Sequence, residues 1–448
     1  MKLLSAVAVH LSEGAAGAVE PVLVGTLRGS FQGGRRLVST SFEYEQSYLQ
    51  RPGAYELSPD LPLRPGRVYT GADATMFGAI ADATPDDWGT SLIDAQWAIE
   101  RARDQPAFLG DFDHLTQLND ETRPGALRFA EVGRTAFLTL EGHTRVRLAD
   151  AQRLAEAAAR FERYEASDED VALLGWAGSS LGGARPKATI LDNGALWVLK
   201  LPSNRDRRTD IEAWEAVALE LAERAGLRVP RRRLLPVDGF NSSLLVERFD
   251  RAPAPEQADT EQTALTAGME STGSQVRVGY QSALSALAVS SVQDRRTYED
   301  FADAIDMMTG SRDDLKEMFG RVALYVLIGN VDDHWRNHGF VREGDRWRLS
   351  PLFDVNPTRA GSKVQARQIS PMDDPYDRDV RVLTEGRDAY GLTETQAAEV
   401  IARVVGAVQQ WRDVAKQLSI TEAEIAGMES AFSRTQLEHA KEFSRAHA

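Results

Sequence analysis

Apolar residues alternate with polar ones in the front of the chain and recur at helical spacing in the back. Val7, Val9 and Leu11 face one side of an expected first strand, because side chains on a strand repeat every second residue. Val22–Leu27 and Leu37–Phe42 predict two more short strands, with Gly-containing turns between them. Pro52-Gly53 and Pro65-Gly66 mark further turns. From Met76 to Ile99 the pattern becomes helical, interrupted by Thr84-Pro-Asp-Asp-Trp88. Residues 135–150 predict two short strands, and an Ala-rich helix is expected from Asp150 to about Glu165.

A glycine-rich segment follows, Leu174-Gly-Trp-Ala-Gly-Ser-Ser-Leu-Gly-Gly-Ala-Arg-Pro-Lys187. Beyond it, Ala188–Leu191 and Leu196–Leu201 flank Asp192-Asn-Gly194, and Asn-Gly between two apolar runs predicts a tight hairpin. An amphipathic helix is predicted from Ile211 to Ala225, stopped by Gly226 and Pro230. The strand Ser243–Phe249 leads into a polar stretch, Asp250 to about Gln275, read as a mobile loop or hinge.

Helices are expected to dominate after that. Residues 321–329 are nearly all apolar and predict a buried helix. Val341–Leu349 resembles a hairpin. Val400, Val404, Val408 and Trp411 share one stripe, and Thr393…Gln396 and Thr421…Glu424 are capping-box starts. The expected fold is α+β and two-lobed, protein-kinase-like, with a β-rich amino-terminal half and an all-helical carboxy-terminal half. Its expected parts are a β-rich module over 1–110, a lobe with the glycine loop over 111–249, and a helical lobe over 250–448.

At 448 residues the chain is long enough for two or three packed units. It has no cysteine, which removes disulfides, Cys-ligated metals and Cys nucleophiles together. A formal charge of -15 disfavours nucleic acid and anionic membrane as direct partners of the whole surface. No run approaches the roughly 20 apolar residues of a spanning helix, and the apolar start breaks at His10. A cytoplasmic protein is expected. Only seven of the 52 basic residues are lysines, so a Lys inside a motif carries information.

The densest polar cluster is Gly329-Asn-Val-Asp-Asp-His-Trp-Arg-Asn-His338, at the end of an apolar element. Phosphoryl transfer needs a carboxylate for the attacking hydroxyl, hard oxygen ligands for Mg²⁺ and a cation on the phosphates. Kinase catalytic loops space the base Asp and the metal-binding Asn as D-x-x-x-x-N, and Asp332 and Asn337 have that spacing. Asp354 follows as a second metal-binding acid, Lys200 sits on an apolar strand and Glu215 on the helix after it. Each feature alone has a plainer reading: a solvated turn, a strand-edge lysine, a surface glutamate. His334 and His338 lack the Glu of a zinc-binding H-E-x-x-H helix, and the glycine segment fails the Walker spacing because Lys187 comes four residues after Gly183. The order of the parts is what favours a kinase-type site.

The motifs Ser180-Leu-Gly-Gly-Ala-Arg-Pro-Lys187, Trp197-Val-Leu-Lys-Leu-Pro-Ser203, Val246-Glu-Arg-Phe-Asp250, Asn330-Val-Asp-Asp-His-Trp-Arg-Asn337 and Leu349-Ser-Pro-Leu-Phe-Asp354 resemble the HipA-like serine/threonine kinases. These are the toxins of HipBA-type toxin–antitoxin pairs. Phe77–Gly89 resembles that family's amino-terminal subdomain. The resemblance implies ATP and Mg²⁺ as cofactors, with Asp332 as base beside His334 and Asn337 and Asp354 on the metal. It implies ATP contacts from Gly182, Gly183, Lys187 and Lys200, with Glu215 pairing the lysine. It further implies an adenine hinge at Glu247 and Phe249, and Asp250 near the ribose. Ser180, with Ser179 as the alternative, corresponds to the loop serine that such kinases autophosphorylate. A phosphate there would expel the loop by charge.

The implied partners are a small basic helix-turn-helix antitoxin, which would supply the DNA contacts, and a protein substrate, an aminoacyl-tRNA synthetase in some relatives. Two other readings keep the same fold: a catalytically silent protein that docks the antitoxin as a co-repressor, and a small-molecule phosphotransferase. The stretch from Asp250 to Tyr280 matches no strong family signature and leaves the acceptor open.

Overall fold

The computed structural model describes residues 2–13, 20–139, 145–180, 182–206, 208–253, 275–289, 294–359, 367–375 and 377–447. Most of the expected polar hinge after Asp250 lies outside the described residues, as does Leu181 of the glycine segment.

Alternating apolar positions in β1 (Ala6–Leu11), β2 (Val22–Gln32) and β3 (Arg36–Tyr44) build the first sheet, completed by β4 (Arg67–Tyr69) and β5 (Leu127–Glu131). The order is β4-β3-β2-β1-β5, antiparallel throughout. Val7, Val9, Val24, Leu27, Phe42 and Phe129 fill one face, joined by Phe77 and Ile80. Because β5 pairs with β1, this sheet runs past the expected module boundary at residue 110. The segment 135–150 differs from expectation. In place of two strands, its described residues make isolated bridges, Phe137 to Ala130 and Arg147 to Leu191, and a 3-10 turn at Leu148–Asp150.

The second sheet has the order β6-β7-β9-β8, from β6 (Lys187–Asp192), β7 (Ala195–Lys200), β8 (Arg232–Leu235) and β9 (Ser243–Glu247). Asn193 and Gly194 both have positive φ, the backbone that a two-residue hairpin requires and that Asn and Gly tolerate. The helices Ala151–Glu162 and Asp168–Gly178 pack on this sheet through Leu154, Leu174 and Trp176. The helix Ile211–Arg224 begins where the Asp210 carboxylate accepts the Ala213 N–H at 3.1 Å. Its Trp214, Val217 and Leu221 belong to the core of the following lobe, so this one helix ties the two lobes together.

A short ribbon, β10 (Arg251–Pro253) with β11 (Gln275–Arg277), leads into the helical lobe. There the helices Tyr298–Thr309, Arg312–Leu327, Glu394–Val408 and Arg434–Ala446 enclose the largest core. The expected stripe of Val400, Val404, Val408 and Trp411 is buried. The lobe is not all-helical. Strands β12 (Tyr280–Ser282), β13 (Gly339–Glu343) and β14 (Arg346–Leu349) form a three-stranded sheet, since the Val341–Leu349 hairpin needs a partner for its open edge and β12 supplies it. Thr393 and Gln396 form the expected capping box. At Thr421 only half of one forms: the Glu424 carboxylate leaves its own helix and accepts the Asp210 N–H at 2.8 Å. Among the described residues no helix is long and apolar enough to cross a membrane.

Candidate active site

Lys187 and Lys200 stand directly opposite each other on β6 and β7. Like charges facing across a strand pair repel, so the arrangement needs anions nearby. Two carboxylates provide them. Lys200 Nζ lies 2.7 and 2.6 Å from the two oxygens of Glu215, on the Ile211–Arg224 helix, and also pairs with Asp354. The Asp354 N–H donates to Glu215 Oε1 at 3.2 Å, closing the cluster. Burial works to lower the Lys200 pKa, but Asp354 and Glu215 outweigh it and hold the ammonium above its usual range. Burial likewise works to raise Asp354, and Lys200 and Lys187 overcome it, keeping that carboxylate ionised far into acid. Glu215 is 2% exposed and its pKa is raised by burial, against the pull of Lys200. Lys187 makes no ion pair with any described residue, and burial pulls its pKa down.

The second wall comes from the helical lobe. The helix Arg312–Leu327 ends, Gly329 turns the chain at positive φ, and Asn330–His334 runs open before a turn at Trp335–Asn337. Asn337 Nδ2 donates to the Asp332 carbonyl at 2.9 Å, which holds the D-x-x-x-x-N loop in shape. The Asp332 side chain is 54% exposed, and His334 Nε2 lies 3.9 Å from its Oδ1. Loss of water in the cleft raises the Asp332 pKa; His334 opposes this and Asp354 adds to it. Asp354 and Asp332 therefore feel each other's charge although they lie on different elements.

The glycine segment covers the site from the amino-terminal side. Ser179 and Ser180 are fully buried, and the Ser180 hydroxyl donates to the Thr122 carbonyl at 3.0 Å. Gly183 has φ +88, and a Cβ there would sit 2.6 Å from Lys187 Nζ, so glycine leaves room for the ammonium. Gly182 lies against Asp86, where a Cβ would come 3.1 Å from Oδ2. Asp86 and Arg336 are residues to which the sequence reading gave no role. The Asp86 carboxylate accepts the Gly183 N–H at 3.0 Å and pairs with Arg336 of the Asp332–Asn337 loop. In sequence Asp86 belongs to the break Thr84–Trp88 in a helical pattern, and only its partners, far along the chain, distinguish it.

The expected hinge residues lie at the end of β9. Phe249 packs 5.4 Å from Phe353, the residue before Asp354, and 6.0 Å from Tyr280. Glu247 is paired with Arg231. Asp250 is buried, and its oxygens accept from Arg248, Arg251 and the Gly125 N–H. Its carboxylate is thus spent on protein groups and held well below its usual pKa against burial.

No three His, Asp or Glu residues gather as a metal cage among the described residues. Mg²⁺ does not require one, since it keeps several waters and takes one or two protein oxygens besides phosphate. Asp354 offers a carboxylate that Lys200 and Lys187 favour in its ionised form and that remains 34% exposed, and Asn337 an amide oxygen, so the donor set fits.

A four-stranded antiparallel sheet bearing the lysine, a glutamate on the helix behind it and a helical lobe bearing the acid–amide loop make up a two-lobed, protein-kinase-like fold. Residues 179–412 match the HipA-like C-terminal domain family, over half of the chain, and the protein belongs to that family. A solved structure of HipA from Shewanella oneidensis MR-1, in a complex with HipB and its operator DNA, is 17% identical. The match covers 97% of this chain and 96% of that one, with a TM-score of 0.63, and shows the fold. The Helicobacter pylori proinflammatory kinase CtkA is 14% identical, over 60% of this chain and 93% of that one. Its TM-score of 0.35 is too low to argue from. No curated protein matches.

Proposed function

We propose that the protein is an ATP- and Mg²⁺-dependent serine/threonine protein kinase of the HipA type, the toxin of a toxin–antitoxin pair. The observation that carries this reading is the cluster in which Lys200 and Glu215, from a strand and the next helix, meet Asp354 from far along the chain, beside the acid–amide loop. Lys200, oriented by Glu215, and Lys187, which has no ion pair among the described residues, would neutralise phosphate oxygens, electrostatic work that dominates phosphoryl transfer. Asp354 and Asn337 would hold Mg²⁺, which supplies charge neutralisation between the phosphates. Asp332, partly open to solvent, would accept the proton of the attacking hydroxyl, and His334 would keep that acid oriented and ionised. Phe249 would offer an apolar wall to the base.

The reading extends to Ser180 as the autophosphorylated residue. Its burial means that the glycine segment must leave its present seat to be modified. It also extends to a small basic helix-turn-helix antitoxin as partner, complementary to the charge of -15, and to a protein acceptor, for which an aminoacyl-tRNA synthetase is the first to try. The test is incubation of the purified chain with labelled ATP and Mg²⁺. Label on Ser180 or Ser179, lost in Asp332→Asn, is the expected result. ATP hydrolysis that a metabolite stimulates, with no phosphoprotein, would make it a small-molecule phosphotransferase. No nucleotide binding by calorimetry would leave a silent, antitoxin-docking protein.

A further inference from the structure

We infer that Asp86 is a positioning residue that fixes the glycine loop against the catalytic loop, so that the amino-terminal module is a working part of the cleft. The inference rests on the kinase reading above. Asp86 is the residue before the helix Asp87–Glu100, a place where an aspartate ordinarily turns its carboxylate back onto the first amides of the helix. Here it makes no such bond. One oxygen instead takes the Gly183 N–H at 3.0 Å and the other pairs with Arg336.

The contact is not an isolated surface pair. The Trp88 N–H donates to the Gly183 carbonyl at 3.1 Å, and Trp88 Nε1 to the Lys187 carbonyl at 3.0 Å. The turn also lies flush on the loop, since a Cβ on Gly89 would come within 2.2 Å of the Ser179 carbonyl. A few residues earlier, Asp82 accepts from the Ser282 N–H at 2.8 Å and from its hydroxyl at 2.6 Å, anchoring the same segment to the helical lobe. The segment 82–89 therefore spans the cleft from the lobe that carries the base to the loop that would cover the phosphates. Arg336 sits one residue before Asn337, whose N–H donates to the His334 carbonyl at 2.8 Å. Freeing Arg336 would loosen the loop that carries both the base and the metal-binding amide. Small displacements of reacting groups are costly in rate.

The experiment compares Asp86→Ala, Asp86→Asn, Arg336→Ala and the Asp86→Ala/Arg336→Ala double variant in the full chain. Turnover, KM for ATP, melting temperature and hydrogen exchange of the amides in 178–187 are measured. Asp86→Ala should slow turnover on the order of tenfold to a hundredfold and speed exchange of the loop amides about tenfold, with the melting temperature kept. Asp86→Asn keeps an acceptor for Gly183 but loses the charge, and should fall between. The double variant should be no slower than the slower single one, because both changes break one connection. Parental turnover and parental loop exchange in Asp86→Ala would overturn the inference. If Asp86→Ala melts early, Arg336→Ala decides, since it leaves the turn intact: parental values there overturn the inference equally. If the parent itself turns over no ATP, the kinase reading has failed, and loop exchange in the same variants still decides the role of Asp86.

Discussion

Asp332 and Asp333 are neighbours in the chain, yet their carboxylates occupy opposite environments. Asp332 opens into the cleft, while Asp333 is 1% exposed and accepts from Tyr298 Oη at 2.5 Å, Arg378 at 2.6 Å and the Arg367 N–H at 3.0 Å. The second acid knits the Asn330–Asn337 loop to the helical lobe, and the first is left open to solvent. Their substitutions should therefore separate. Asp332→Asn is expected to lower turnover on the order of 10²-fold or more without moving the denaturation midpoint. Asp333→Ala strands a buried guanidinium and should cost about 3–5 kcal/mol of stability. Urea titration and ATP turnover on both variants check this, and an unstable Asp332→Asn would reverse the roles.

Lys200 and Glu215 allow the structural and functional parts of an ion pair to be parted. Lys200→Met leaves Glu215 buried without its cation, which should destabilise the protein by about 3 kcal/mol and abolish nucleotide binding. Adding Glu215→Gln removes the stranded charge. The double variant should recover much of the stability and none of the binding, read by denaturation and calorimetry. Nucleotide affinity equal to the parent's in the double variant would show that Lys200 does not meet phosphate.

Asp354 adopts φ +51, a left-handed conformation that Asn tolerates nearly as well as Asp. Asp354→Asn should consequently fold normally, keep the Lys200–Glu215 pair and lose Mg²⁺-dependent turnover by on the order of 10²-fold or more. A metal titration of turnover reads the result. An unchanged Mg²⁺ dependence would remove Asp354 from the metal site.

Glu212, one turn before Glu215, is 2% exposed, and its Oε2 has no hydrogen-bond partner among the described residues. Burial pushes its pKa up to about 8 from an ordinary 4.5. The folded protein thus holds this proton more tightly than the unfolded chain. Its contribution is full below pH 4.5 and is lost as pH rises towards 8, by about 1.4 kcal/mol per pH unit. His338 acts in the other direction. Burial holds its pKa down to about 3 from 6.5, so its stability is present above pH 6.5 and lost as pH falls. That term is common to the parent and to Glu212→Gln and cancels in their difference. Glu212→Gln should gain on the parent steadily between pH 5 and pH 8, a window set by the Glu212 shift. An advantage that stays level across that window would mean that Glu212 ionises normally.

Much of the framework could be read from local pattern. The hairpin at Asn193-Gly194, the helix start at Asp210 and the capping box at Thr393 depend on residues within a few positions of each other, and they form as the sequence predicts. The half-box at Thr421 failed for the opposite reason, because Glu424 found a better donor in Asp210, more than two hundred residues earlier. The three-stranded sheet was missed in the same way. Its β12 is three residues long and has meaning only beside β13.

By itself the sequence determined the period of each element, the lysine on its strand, the glutamate on the next helix and the five-residue step from Asp332 to Asn337, since these are short-range properties of a chain. Only the tertiary structure decided which carboxylate of the Asp332-Asp333 pair faces the cleft, that Asp250 is consumed by arginines, that Ser180 is buried, and that Asp86 reaches two loops at once. Most of those outcomes depend on a partner from a distant part of the chain, Tyr298 and Arg378 for Asp333, Thr122 for Ser180, Gly183 and Arg336 for Asp86, and such a contact leaves no trace in the residues on either side of it. The arginines on Asp250 are its chain neighbours, and there only the direction of the side chains was hidden.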